Sequence, residues 1–190
     1  MKVFKVTYGS RVNGPGVRNV LHTQGCSVKC PGCFNVHTWD SGKGDELSPS
    51  TVIDMLLAGD LVDGITISGG EPTDQWPDVK KVLQGVREGG QSVVLFTGRT
   101  KEQLLELGYW YDLEMLTDIV VSGPYVKSLA LRGEPLRGSS NQVVHYHGEY
   151  TEADLDPIPE VEVHIDGDNI TVAGFPTKEL RTNLLKEIRG

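Results

Sequence analysis

Apolar residues recur at Val52, Ile53, Leu56 and Leu57 between Pro49 and Ala58, the spacing of a helix that buries one face. Ser48 stands ahead of Pro49 as its N-cap, with the proline at the first helical position. Ile65-Thr66-Ile67 is a short buried strand, and the same order then repeats: Val79 to Arg87 helical, Val93 to Thr97 a strand, Lys101 to Leu107 helical, Ile119-Val120-Val121 a strand. Upstream, Val3 to Tyr8 and Val17 to His22 also read as strands. Such alternation predicts right-handed βαβ units and a mostly parallel sheet, with ligands beyond the carboxyl ends of its strands. The C-terminal part differs. Val161 to Ile165 and Asn169 to Val172 alternate apolar and polar around Asp166-Gly167-Asp168, a hairpin signal. Thr177 to Ile188 reads as an amphipathic helix through Leu180, Leu184, Leu185 and Ile188. Residues 1–150 therefore form the main body, and residues 151–190 a hairpin and helix packed on it. Asp156-Pro157-Ile158-Pro159 is the linker.

With 190 residues and 38% hydrophobic content, the chain builds a single core but is short for a closed eight-stranded barrel of ~250 residues. An open, partial βα barrel is the architecture expected. The 26 acidic against 18 basic residues give a net charge of −8, which argues against a nucleic-acid or anionic-membrane partner. No apolar run reaches the ~20 residues of a membrane span, and Met1-Lys2-Val3-Phe4-Lys5 does not lead into a signal-peptide core. The cytoplasm is the expected compartment, and its reducing conditions suit unpaired thiols.

The three cysteines all fall in Cys26-Ser27-Val28-Lys29-Cys30-Pro31-Gly32-Cys33. An odd number of thiols in one tight loop is a poor disulfide framework. Three thiolates hold three corners of an iron–sulfur cube and leave the fourth iron open to a substrate. The same spacing, extended to His37, also fits a Cys3His zinc site. A simple electron carrier would need a fully ligated cluster, and three cysteines do not supply one. His145 and His147 share one face of a half-exposed strand by period two and are given no ligand.

The cysteine loop resembles that of the radical S-adenosylmethionine (SAM) superfamily. Its surroundings, Asn13-Gly14-Pro15-Gly16-Val17-Arg18, Gln24-Gly25-Cys26, Cys30-Pro31-Gly32-Cys33-Phe34-Asn35 and Thr38-Trp39, resemble the glycyl-radical-enzyme activases, above all the branch that activates anaerobic ribonucleotide reductase. Ser68-Gly69-Gly70-Glu71-Pro72, Val121-Ser122-Gly123-Pro124-Tyr125 and residues 137–142 (Arg-Gly-Ser-Ser-Asn-Gln) extend the likeness to about Gln142. Two departures stand out: Gly32 precedes the third cysteine where many members have an aromatic, here supplied by Phe34, and Asn13 stands where activases usually have Asp.

The resemblance implies a [4Fe-4S] cluster on Cys26, Cys30 and Cys33, with SAM bound to the open iron and cleaved to a 5′-deoxyadenosyl radical. The partner it implies is a glycyl radical enzyme, anaerobic ribonucleotide reductase first, with a low-potential donor such as flavodoxin. Gly69 and Gly70 would let backbone approach SAM, Glu71 would oppose its methionine ammonium, and Phe34, Thr97 and Ser122 are further candidates for contact. Residues 137–142 would act at the open mouth, on SAM or on the partner. The alternatives are action on another glycyl radical enzyme or on a small metabolite and, outside enzymes, a zinc-binding structural module.

Overall fold

The computed structural model describes residues 1–58, 62–131, 134–155, 158–159, 161–166 and 169–174. Among these run strands β1 (Lys2–Ser10), β2 (Arg18–Thr23) and β3 (Asp45–Glu46), helix α1 (Pro49–Leu57), β4 (Gly64–Gly69), α2 (Trp76–Glu88) and β5 (Ser92–Thr97). They are followed by α3 (Lys101–Glu106), α4 (Trp110–Leu116), β6 (Ile119–Ser122), β7 (Val143–Tyr146), β8 (Val161–Asp166) and β9 (Asn169–Gly174). Seven strands form one sheet in the order β3-β1-β2-β4-β5-β6-β7. β2, β4, β5 and β6 are mutually parallel, with registers such as Arg18↔Gly64, Ile65↔Val93 and Val94↔Ile119. β1 and β7 flank this block antiparallel, and β3 pairs with β1 at the far edge. The edges β3 and β7 do not pair with each other, so the architecture is an open α/β sheet rather than a closed barrel.

The short segment between β1 and β2 returns the chain antiparallel because it is too short for the crossover that parallel neighbours need; the βαβ pattern starts only at β2. Ser48 caps α1 by accepting from Thr51 N at 3.1 Å, and Pro49 opens the helix as the sequence predicts. Thr100 and Gln103 close a capping box at α3.

Strand alternation sorts the interior into two cores. Val93, Leu95 and Val120 join Val52, Leu56, Val79, Val82 and Leu83 of α1 and α2 on the helical face. Their neighbours Val94, Ile119 and Val121 turn the other way, onto Leu136 and Leu155. Burial on both faces explains why these strands read as near-continuous apolar runs. At the N-terminal ends of the parallel strands, Arg18 is fully buried. Its guanidinium donates to Thr66 Oγ1, Pro15 O, Ser92 Oγ, Ile65 O and Ser92 O, between 2.8 and 3.1 Å. These bonds staple β2, β4 and β5 at the end away from the cysteines.

β8 and β9 form a separate two-stranded hairpin, registered from Val161↔Gly174 to Asp166↔Asn169. The anticipated C-terminal helix and part of the anticipated linker lie outside the described residues. Among the described residues, no helix is long and apolar enough to cross a membrane.

Candidate active site

The loops after all four parallel strands converge at their carboxyl ends on one cleft of about 120 Å³. Cys26, Cys30 and Cys33 border it from the loop after β2, Gly69, Gly70 and Glu71 from β4 and its exit, Thr97 and Gly98 from β5, and Gly123 and Tyr125 from beyond β6. Residues far apart in sequence thus meet where the parallel topology predicts a ligand.

The cysteine loop is fastened at several points. Gly25 N and Cys26 N donate to Thr38 O and Trp39 O at 2.7 and 3.2 Å, and Cys33 N donates to Cys30 O at 3.0 Å. Ser27 donates through N and Oγ to the two Asp74 carboxylate oxygens, each at 2.7 Å. Arg99 completes this clamp, donating to Asp74 Oδ1 at 2.7 Å and to Thr73 Oγ1 at 2.8 Å. All three thiols are free and partly buried. Burial pushes the Cys26 and Cys30 thiols up from their ordinary range, and iron would overcome this because a coordinating thiol is deprotonated outright.

The donor set fits an iron–sulfur cluster: three thiols round one cleft, with the Asn35 backbone N–H donating to Cys33 Sγ at 3.3 Å, the kind of bond that tunes a cluster. Among the described residues, no three His, Cys, Asp or Glu side chains gather tightly enough to share one ion. His37 does not border the cysteine cleft. Its ring packs on Phe4 with centroids 4.8 Å apart and faces a neighbouring cavity.

Gly69 and Gly70 are needed for contacts within the protein. A Cβ on Gly69, which sits at φ +109°, would overlap the backbone of Thr23, and one on Gly70 would overlap the Gly25 carbonyl. Their absent side chains let the end of β4 close on the root of the cysteine loop, with Gly70 N donating to Thr23 O and Glu71 N to Gly25 O, each at 2.9 Å. The Glu71 side chain is fully buried. Oε1 accepts from Thr73 N, Thr73 Oγ1 and Thr97 Oγ1 at 3.0, 2.6 and 2.8 Å, and Oε2 accepts from Gly98 N at 2.7 Å. Burial raises its carboxyl above the ordinary range, while the bonds from Thr73, Thr97 and Gly98 pull it back.

The remaining candidates divide. Thr97 borders the cleft while tying Glu71. Ser122 is buried outside the cleft's wall, its Oγ 2.9 Å from His145 Nε2, and Gly123 takes the place at the cleft. Phe34 faces the neighbouring cavity, whereas Trp39, Phe96 and Tyr125 are the aromatics at the cysteine cleft. In residues 137–142, Gln142 borders the cleft and Asn141 Nδ2 donates to Pro124 O at 2.7 Å. Gln142 Nε2 and Oε1 bridge Gly123 O to Gly138 N, stitching this loop to the end of β6. Arg137 pairs locally with Glu134 at 3.0 Å. His145 and His147 share one side as expected, both edge-on to Trp110. Asp74 and Arg99 escaped the sequence reading because neither belongs to a motif; the only signal was their place just after β4 and β5.

Residues 12–145 match the model of the 4Fe-4S single cluster domain family. The anaerobic ribonucleoside-triphosphate reductase-activating protein of Escherichia coli strain K12 is 34% identical over 145 residues, covering 71% of this chain and 92% of that protein. Its counterpart from Enterobacteria phage T4 is 33% identical over 139 residues, covering 69% and 85%. The pyruvate formate-lyase-activating enzyme of Staphylococcus aureus strain USA300 is 31% identical over 121 residues, covering 58% of this chain and 47% of that enzyme. With its cysteines, Gly-Gly-Glu segment and parallel strand ends meeting at one cleft, the chain belongs to the 4Fe-4S single cluster family and, within it, to the radical SAM activating enzymes.

Proposed function

We propose that the protein cleaves SAM reductively and generates a glycyl radical on an anaerobic ribonucleotide reductase, working in the cytoplasm with a low-potential donor such as flavodoxin. The observation that carries this reading is the meeting of three thiols with Gly69, Gly70 and Glu71 at one cleft, in a chain resembling reductase activators over most of its length. Cys26, Cys30 and Cys33 hold the cluster, and residues 1–150 form the catalytic body, with the β8–β9 hairpin an appendage to it. A [4Fe-4S] cluster on these three thiolates would supply the one electron that splits the S–C5′ bond of SAM into methionine and a 5′-deoxyadenosyl radical, and that radical would take a hydrogen atom from a glycine of the partner.

The chain's own residues hold the reactants. Glu71 presents a buried negative charge toward the methionine ammonium, its orientation fixed by Thr73, Thr97 and Gly98. Trp39, Phe96 and Tyr125 offer apolar surface to the nucleoside and keep water from the site. The test is isotope transfer. With reductase carrying Cα-deuterated glycine, the 5′-deoxyadenosine formed should gain one deuterium by mass spectrometry. Unlabelled product alongside conversion of a free metabolite would assign the chemistry to a small substrate instead.

A further inference from the structure

Next to the cysteine cleft lies a cavity of about 340 Å³ that shares Thr38, Ser68 and Phe96 with it, so the two chambers adjoin. Among the described residues, the ionisable groups on its wall are Lys5, His22 and His37, with no carboxylate. One side is made by Val172, Ala173 and Gly174, consecutive residues of β9. Side chains alternate along a strand, so three residues in a row border one chamber when the strand presents its edge. Among the described residues β9 pairs with β8 alone, and an unpaired edge is a template for an added strand. This wall lies beyond residues 12–145 that match the family model. Glu162 of β8 fastens it: Oε2 accepts from Ser10 Oγ at 2.9 Å and from Arg11 N at 3.1 Å. Ser10 Oγ in turn accepts from Asn13 Nδ2 at 2.8 Å, and Asn13 faces the cavity.

We propose that the β8–β9 hairpin is a docking wall for the partner: the glycine-bearing segment of the reductase enters the cavity extended and pairs along the β9 edge, with Glu162 as the latch that holds the wall in place. This rests on the functional reading above. A chamber of this size lies at the small end of ligand sites, roughly 300–1,000 Å³, and admits a few extended residues but no folded element. Main-chain pairing with a strand edge supplies affinity without requiring particular side chains, which suits a segment whose reacting residue is glycine. The experiment uses the cluster-loaded, full-length protein with the reductase. Adding reductase should slow hydrogen exchange at least tenfold at those amides of residues 171–174 that point away from β8. Ala173→Phe, which adds bulk beside the β9 edge, should raise the reductase concentration for half-maximal glycyl radical at least tenfold, with iron content and SAM affinity as in the wild type. Glu162→Ala should raise it severalfold, and Glu162→Gln, which keeps an acceptor oxygen, should restore most of the loss. Unchanged exchange, or wild-type dependence on reductase in both Ala173→Phe and Glu162→Ala, would overturn the docking wall while the radical still forms. Loss of SAM binding in Ala173→Phe would reassign the cavity to SAM and overturn it too. A wild-type protein that protects residues 171–174 yet forms no glycyl radical would instead defeat the functional reading.

Discussion

Glu71 accepts four hydrogen bonds from three residues on two strand-end loops, so it builds the cleft as well as charging it. Glu71→Gln keeps the shape but turns one oxygen into a donor facing N–H or O–H groups that already donate. A hydrogen bond to a charged group contributes about 1.5–3 kcal/mol. SAM affinity should therefore fall about 10- to 100-fold by calorimetry, with a loss of unfolding free energy of similar size; no change in either would remove Glu71 from both roles. His22 shows the same cost of burial with opposite sign. Desolvation, with Lys5 and His37 adding repulsion, pushes it down to about 4 from an ordinary 6.5. The unfolded chain then binds the extra proton first, so stability is full above pH 6.5 and is lost as pH falls from there toward 4. The urea midpoint should drop between pH 7 and pH 5, by about 1–3 kcal/mol in free energy, and His22→Gln should flatten that slope. At this scale the cysteines were legible because their spacing is local. The placement of Phe34 and Ser122 was not, because a strand end or loop names a residue's position without giving the side its chain faces.

Between elements, the clamp of Asp74, Arg99 and Ser27 joins the loops after β2, β4 and β5 next to Cys26. Asp74 is partly exposed, so its ion pair with Arg99 is screened and the two bonds from Ser27 matter more. Asp74→Ala should cost about 1–2 kcal/mol of stability and lower iron retained per chain after anaerobic desalting, with Asp74→Asn intermediate. Full retention in Asp74→Ala would show that the loop holds its shape unaided. The helices and central strands were readable because caps and apolar periodicity are written locally: Ser48 before Pro49, or Val93 to Thr97. α4 was missed although Trp110 and Leu113 carry helical spacing, because it is short and follows α3 after only Leu107-Gly108-Tyr109. β3 is two exposed acidic residues with no apolar pattern, and it exists through pairing with β1.

Across the whole molecule, the open sheet separates a stable end from a working end. Arg18 anchors the first, its charge satisfied by three carbonyls and two hydroxyls, while the carboxyl ends of the same strands carry the cleft. Arg18→Met strips its donors from the carbonyls of Pro15, Ile65 and Ser92, while Ser92 Oγ keeps the bond from Tyr150, and should cost about 1–3 kcal/mol in denaturant unfolding; no measurable loss would show that water replaces the guanidinium. The parallel block was legible from strand–helix alternation. The antiparallel flanks and the hairpin's seat on Ser10 and Arg11 were not, since pairing between distant segments leaves no local mark. The central claim is that this open end makes a radical on another protein. It is tested most directly by electron paramagnetic resonance of an anaerobic mixture of the cluster-loaded protein, SAM, a low-potential reductant and anaerobic ribonucleotide reductase. A doublet that disappears when the reductase's C-terminal glycine is replaced by alanine is the predicted result; SAM cleavage with no glycyl radical on the reductase would contradict it.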